Sequence, residues 1–155
     1  YKTDLSIIKS VVKSNNQRKI TLTNRIDKIL KNRLKNKNIT FLGVTFKPNT
    51  DDMREASSIP MINYLNKKGS KIRYYDPSGR KKEFDKLKNV KFYSSISSAC
   101  IKSDLIIIHT EWNAFKLLDF KRLVKKKNFK VFDMRNIYSQ DKMRELKIEY
   151  ISIGR

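Results

Sequence analysis

Glycine is scarce in this chain, with four residues in 155, alongside three prolines, one cysteine, one tryptophan and one histidine. A single thiol, Cys100, excludes an internal disulfide and suits a reducing, cytoplasmic compartment. The shortage of glycine excludes the G-x-G-x-x-G turn that lets backbone approach a dinucleotide pyrophosphate, since Gly43 is followed by no other glycine until Gly69. Long apolar runs are missing too. The longest purely aliphatic stretch, 105–108, is far too short to cross a bilayer, no signal-peptide pattern is present, and no membrane partner is expected. Acidic residues number 15 against 36 Lys and Arg, a net charge of +21. Nucleic acid is the obvious suspect for such a surface. The lysines, however, are spread over the whole chain with one short block at 125–127, and aromatic residues are not interleaved with them as a base-stacking platform requires. Their company of Asn, Ile, Tyr and Phe is the bias of AT-rich coding sequence. The expectation is a solvated basic surface with no specific nucleic-acid partner.

What is present is enough for one ordinary domain with an appended element, because 39% of the residues are hydrophobic. The chain begins at Tyr1 without an initiator Met, which suggests a piece of something longer. Residues 3 to about 35 read as helix: Leu5, Ile8 and Val12 share a face, and Ile26, Ile29, Leu30 and Leu34 resume the spacing after a polar middle at 14–19. One long helix or two with a joint near Asn15–Asn16 would both fit. The polar stretch Lys35–Asn38 reads as a linker, dividing a helical region at 1–36 from a domain at 37–155. From Ile39 strand and helix alternate. Strands are expected at 39–44, 71–75, 90–93, 104–108, 130–133 and 148–153. Helices are expected at 59–68, 81–87, 95–102, 113–117, 119–127 and 139–146. The pattern predicts an α/β fold, a Rossmann-like doubly wound parallel sheet preceded by a long helix.

The richest stretch is ITFLGVTFKPNTDDMREA, residues 39–56. An apolar strand runs into a loop holding a lysine, two aspartates, an arginine and Pro48, with a helix signal at Ser57–Ser58 and Pro60 in its first turn. Open α/β sheets bind ligands at the carboxyl ends of their strands. Lys and Arg side chains placed there suit an anionic ligand. The acid after the second strand, Asp76, lies 33 residues beyond Gly43 (76 minus 43), where roughly 20 is expected for a ribose-binding acid.

Extended to FLGVTFKPNTDDMREASS, this loop resembles the one that opens the C-terminal domain of UDP-glucose 6-dehydrogenases, within the UDP-glucose/GDP-mannose dehydrogenase family. Three further segments follow in the family's order: IRYYDP (72–77), TEWNAF (110–115), typical of the UDP-glucose members, and FDMRN (132–136) with the terminal Ile153-Gly154-Arg155. Residues 1–35, with Asn-Asn-Gln-Arg at 15–18, resemble the family's long central helix, through which its members form homodimers. The resemblance implies a parent enzyme that oxidises C6 of UDP-glucose to the acid with two NAD, through thiohemiacetal and thioester stages on a cysteine. That cysteine, a catalytic Lys and Asn, and the NAD domain would all lie upstream of Tyr1. This chain would supply the UDP-sugar side of the cleft and be inactive alone. A dehydrogenase of GDP-mannose or of a UDP-N-acetyl-sugar, and a stand-alone basic nucleotide- or nucleic-acid-binding module, are the alternatives.

By the same resemblance Phe46, Lys47 and Arg135 contact the UDP-sugar, and Arg54 reaches towards NAD. No residue of the chain is expected to be catalytic, and no metal site is expected. Each assignment has a plainer counterpart. Lys47 can be one more surface lysine, Arg54 can pair with Asp51, Asp52 or Glu55, and Arg135 can pair with Asp133. Thr50, Asp51 and Asp52 read as loop architecture. Glu111 and Trp112 read as packing groups, His109 as structural, and Cys100 as a buried thiol.

Overall fold

The structure, a computed structural model, describes residues 6–154. The start of the expected first helix at residues 3–5, Leu5 included, and the terminal Arg155 lie outside the described residues. The chain forms two compact units, one up to Arg33 and one from Leu34.

The first unit is a single helix, α1 (Ser6–Ile29). It runs unbroken through Asn15 and Asn16, since no glycine or proline interrupts it and its polar middle is compatible with helix. It stops at Ile29, short of the expected residue 35. Lys31 and Asn32 turn left-handed (φ 52° and 57°), and the Asn32 N–H reaches back to the Asp27 carbonyl at 2.8 Å. That closure satisfies a terminal carbonyl as a left-handed cap does.

The second unit alternates β1 (Asn38–Leu42), α2 (Ser58–Lys67), β2 (Lys71–Tyr75), a 3-10 turn (Lys82–Phe84), β3 (Val90–Phe92), α3 (Ile96–Cys100), β4 (Leu105–Ile108), a second 3-10 turn (Asn113–Phe115), α4 (Phe120–Val124), β5 (Lys130–Asp133), α5 (Gln140–Glu145) and β6 (Glu149–Ser152). The six strands form one sheet in the order β3-β2-β1-β4-β5-β6 and every pairing is parallel. This is the doubly wound, Rossmann-like arrangement, with its switch point between β1 and β4, where successive connections diverge to opposite halves of the sheet.

The expected linker at 35–38 is part of this unit. Asn36 turns left-handed (φ 63°) and donates its N–H to Gly69 O at 2.9 Å, while Lys37 O accepts the Lys71 N–H at 2.8 Å. The stretch is thereby tied to the amino end of β2. The helices expected at 81–87 and 113–117 shrink to 3-10 turns. The one expected at 119–127 ends at Val124 because Lys125 adopts a left-handed conformation (φ 46°).

All four residues of β4 are fully buried, as an aliphatic strand covered on both faces must be. Burial of that kind contributes roughly 1.5–3 kcal/mol for each such side chain. Leu42, Ile106 and Ile108 form one core cluster with Phe115, Phe120, Val124, Val131 and Met143. Lys126, which its sequence position suggested as a solvated helix-surface cation, lies just past α4 and reaches Asp104 Oδ1 at 2.5 Å. Among the described residues no helix is long and apolar enough to cross a membrane.

Candidate functional site

β1 ends at Leu42, two residues earlier than the sequence pattern suggests, because Gly43 turns the chain with φ +75°. Its N–H goes to Tyr75 O at 2.9 Å, and a Cβ at this position would sit 2.6 Å from Thr110 Cβ. Only glycine lets the β1 turn press against the residues after β4. The next two amides, of Val44 and Thr45, donate to Asp76 Oδ2 at 2.7 and 3.3 Å, while Asp76 Oδ1 accepts from the Ser78 N–H (2.9 Å) and hydroxyl (2.5 Å). Asp76 is thus a buried staple spent on two loops, a use of the acid that the spacing argument had left open.

Beyond this staple the loop closes on itself. Phe46 donates its N–H to Asp52 O (3.0 Å), and Thr50 Oγ1 accepts the Asp52 N–H (3.1 Å). Asn49 and Glu55 take left-handed conformations, and the Ser58 hydroxyl donates to Val44 O at 2.5 Å. Phe46, half-exposed at 51%, and the exposed Lys47 stand on the resulting rim. Arg54 projects into solvent (90% exposed side chain) and chooses Asp52 among its three possible partners. Its Nε lies 3.0 Å from Oδ1 and its Nη2 2.9 Å from Oδ2, with its own backbone N–H on Oδ1 at 2.9 Å. This fork and the backbone amide hold the Asp52 carboxyl down to about 2, and the same pairing raises the Arg54 guanidinium.

The loop after β4 carries a relay that no local motif announces. His109 Nε2 is 2.8 Å from Ser57 Oγ, its Nδ1 is 3.0 Å from Thr110 Oγ1, and Thr110 Oγ1 donates to Thr45 O at 2.8 Å. Counting donors fixes the protons. The Thr110 hydrogen is committed to a carbonyl, so Nδ1 carries the imidazole proton and Nε2 accepts from the Ser57 hydroxyl. Ser57 and His109, 52 residues apart, make a pair that resembles a nucleophile and base. Burial, with the nearby Arg135 charge, pushes the imidazole down to about 3, so it is a poor proton acceptor at neutral pH and works as a structural bridge.

Arg135 stands two residues past β5. Asp133 does not pair with its guanidinium, contrary to the simplest sequence reading. Fully buried, Asp133 instead accepts the backbone N–H groups of Arg135 (2.9 Å), Ile137 (2.8 Å) and Tyr138 (3.1 Å) and the Tyr150 hydroxyl (2.8 Å). The Arg135 side chain crosses to the β4 loop, where Nε donates to His109 O at 2.6 Å and lies 3.0 Å from Glu111 Oε2. Three of the four candidate residues, Phe46, Arg54 and Arg135, are therefore linked through one run of hydrogen bonds and loop backbone at the carboxyl edge of the sheet. Arg54 holds Asp52, whose carbonyl takes the Phe46 N–H; Thr45 receives Thr110, and Arg135 grips the residue that feeds Thr110. Lys47 rides on the same loop. Sequence reasoning missed Ser57 and Glu111 as organisers because their partners lie on other strands' loops, and Asp133 because it looked like the counterion of Arg135 while it caps the backbone of its own loop.

A dinucleotide does not fit the β1 turn, since its single glycine packs against Thr110 and its nearest buried acid is spent on amides. Cys100 is fully buried, and burial pushes its thiol up to about 12, which excludes a thiolate nucleophile at neutral pH. Among the described residues no group of His, Cys, Asp and Glu side chains could hold a metal ion.

Residues 40–140 match the family model described as the UDP-glucose/GDP-mannose dehydrogenase family, UDP binding domain. The chain is 35% identical over 157 aligned residues to a UDP-glucose 6-dehydrogenase of Rickettsia typhi, covering 99% of this chain and 36% of that protein. It is 38% identical over 159 aligned residues to one of Bacillus subtilis, covering 98% and 35%. It thus spans about a third of the length of these curated relatives. Among solved structures, a UDP-glucose dehydrogenase of Pyrobaculum islandicum superposes with a TM-score of 0.73 at 26% identity, covering 96% of this chain and 32% of that one. A UDP-D-ManNAc dehydrogenase of Pyrococcus horikoshii gives 0.77 at 20% identity, covering 99% and 35%, a likeness of fold. With its matched domain, its parallel sheet and the basic rim over the switch point, the chain belongs to the UDP-glucose/GDP-mannose dehydrogenase family.

Proposed function

We propose that residues 37–155 are the UDP-sugar-binding domain of an NAD-dependent UDP-glucose 6-dehydrogenase of the cytoplasm, and that residues 1–36 are its central dimerising helix region. The observation that carries this reading is the anchoring of Arg135 by Nε, the guanidinium nitrogen nearest the backbone, at the edge of the β1/β4 crevice. An arginine held there keeps its terminal nitrogens for an anion, and a diphosphate takes such a fork well. Lys47, on the loop opposite, adds a point charge. Phe46 offers a half-exposed ring beside it. The domain's part in the reaction is then positioning: gripping the diphosphate fixes where C6 of the sugar stands. Arg54, exposed and steadied by Asp52, is the residue to meet NAD held by a domain outside residues 1–155. The chain alone turns over nothing in this scheme, because its one thiol is buried and its β1 turn holds no dinucleotide.

Calorimetric titration of the 155-residue chain with UDP-glucose tests this directly. Lys47→Ala and Arg135→Ala should each weaken binding by about 1.5–3 kcal/mol, the loss of a charged hydrogen-bond partner. Lys127→Ala, in the basic block past α4, should change it little; Lys126 is a poorer control because it holds Asp104. Equal losses at Lys47 and Lys127 would remove any special standing from the β1 loop. Tighter binding of GDP-mannose or a UDP-N-acetyl-sugar would move the substrate to another branch of the family. In an enzyme reassembled with its upstream domains, Arg54→Ala should raise the NAD requirement more than the UDP-glucose requirement.

Helix α1 leaves Ile7, Ile8, Val11, Val12 and Ile20 between 53% and 77% exposed. Apolar side chains in such number on one helix favour a protein partner, here a second copy of the chain. Sedimentation at tens of micromolar should show a dimer that Ile8→Lys/Val12→Lys dissociates; a wild-type monomer at those concentrations would overturn the assignment.

A further inference from the structure

Glu111 sits in the crevice wall in an unusual state. Its side chain is 41% exposed overall, yet Oε2 is shut off from solvent and receives no hydrogen bond. The nearest cation is Arg135 Nε at 3.0 Å, but the single Nε proton is aimed at His109 O, 2.6 Å away. A carboxylate oxygen buried without a donor is unfavourable, and one kept beside an arginine calls for an explanation.

The explanation lies in the direction of the guanidinium. The root of Arg135 is immobile, since Asp133 holds its backbone N–H and those of Ile137 and Tyr138. The tip is a flexible stem away. Two acceptors on the β4 loop, the His109 carbonyl and Glu111 Oε2, converge on the same nitrogen. A carbonyl alone fixes one bond and leaves rotation about it. A carboxylate on a second side of the same nitrogen adds a restraint that the carbonyl alone does not give, and narrows the orientations the guanidinium can take.

We propose that Glu111 is a positioning residue for Arg135, steering its guanidinium towards the diphosphate of the bound nucleotide sugar. The proposal rests on the reading of Arg135 as the diphosphate contact. It predicts an effect opposite in sign to simple electrostatics. Glu111→Gln keeps the side chain's shape and raises the local charge by one, so a mere counterion role requires tighter binding of the anionic ligand. Positioning requires weaker binding, by roughly tenfold for a misdirected charged fork.

UDP-glucose titrations of wild type, Glu111→Gln, Arg135→Ala and the double variant should show Glu111→Gln binding roughly tenfold weaker, and no further loss when it is added to Arg135→Ala. Tighter binding, or an undiminished effect in the Arg135→Ala background, overturns the proposal. A ligand-free measurement separates it from the assignment of function. In 15N spectra the Arg135 Nε–H should exchange slowly in wild type and quickly in Glu111→Gln. Equal protection in both overturns the positioning role whatever binds. Protection lost on substitution, in a chain that shows no affinity for UDP-glucose, upholds the positioning of Arg135 and rejects the nucleotide-sugar reading alone.

Discussion

Acidification from pH 6.5 to 4 should strip roughly 3 kcal/mol of folding stability from this chain, and His109→Gln should abolish most of that slope. The cause is the imidazole locked between Ser57 and Thr110, which burial and Arg135 push down to about 3 in the folded state. Unfolded, the same group titrates near its ordinary value of 6.5. Above that value neither state binds the proton, and stability is flat. As pH falls the unfolded chain takes up a proton that the folded chain refuses, so stability drops by about 1.4 kcal/mol per unit until the folded value is reached. Asp52 and Asp104 are also held low, Asp52 by its pairing with Arg54 and Asp104, against the opposing cost of burial, by Lys126, and they lose their contribution only below about pH 4. The upper window therefore belongs to His109. Urea denaturation at half-unit pH steps checks this. A flat wild-type profile between 6.5 and 4.5, or the same slope in His109→Gln, would show the imidazole to be accessible.

Replacing Gly43 by alanine should cost about 2–4 kcal/mol, roughly twice the cost at Gly79. Both glycines have positive φ, +75° and +91°, so both substitutions carry the backbone penalty of about 1–2 kcal/mol. They differ in surroundings. A Cβ at Gly79 meets nothing within 4 Å, whereas one at Gly43 stands 2.6 Å from Thr110 Cβ and 3.2 Å from its Cα. Thr110 cannot retreat without breaking its bond to Thr45 O and disturbing His109. Denaturant midpoints for the two variants give the comparison. Equal shifts would mean that the β1 and β4 loops are less closely packed than the distances state.

The strands were readable because buried parallel strands are short apolar runs between breakers, and Leu105–Ile108 or Lys71–Tyr75 leave little choice. The element ends were less so. Left-handed turns end α1 and α4 and shape the 34–37 stretch, and with only four glycines the chain makes many of them with asparagine or lysine: Lys31, Asn32, Asn36, Lys125, Asn128 and Asn136. Asparagine tolerates that conformation but is also common elsewhere, so it gives no reliable stop signal. The candidate site divides similarly. The charged loop with Lys47 and Arg54 could be found because a strand followed by such a loop marks the carboxyl edge of a sheet, while Phe46 and the individual roles came from the family resemblance. The partners that orient such residues could not, because Ser57 with His109, Asp76 with Val44 and Glu111 with Arg135 meet only when neighbouring strands have paired. Arg135 illustrates the limit. A neighbour in sequence, Asp133, looked like its counterion, yet in the fold that carboxylate turns to the backbone.

In the dehydrogenase proposed above, the relay at the β4 loop also bears on how labour is divided between domains. The chain's only imidazole is held near 3 and its only thiol near 12, so neither gains or loses a proton across the physiological range. Above the imidazole the carboxyl edge carries Lys47, Arg54 and Arg135. Under the proposed function, a bell-shaped pH profile of turnover would then be expected to come from groups outside residues 1–155. In that scheme this domain contributes a field set once by folding, and the proton exchange belongs elsewhere.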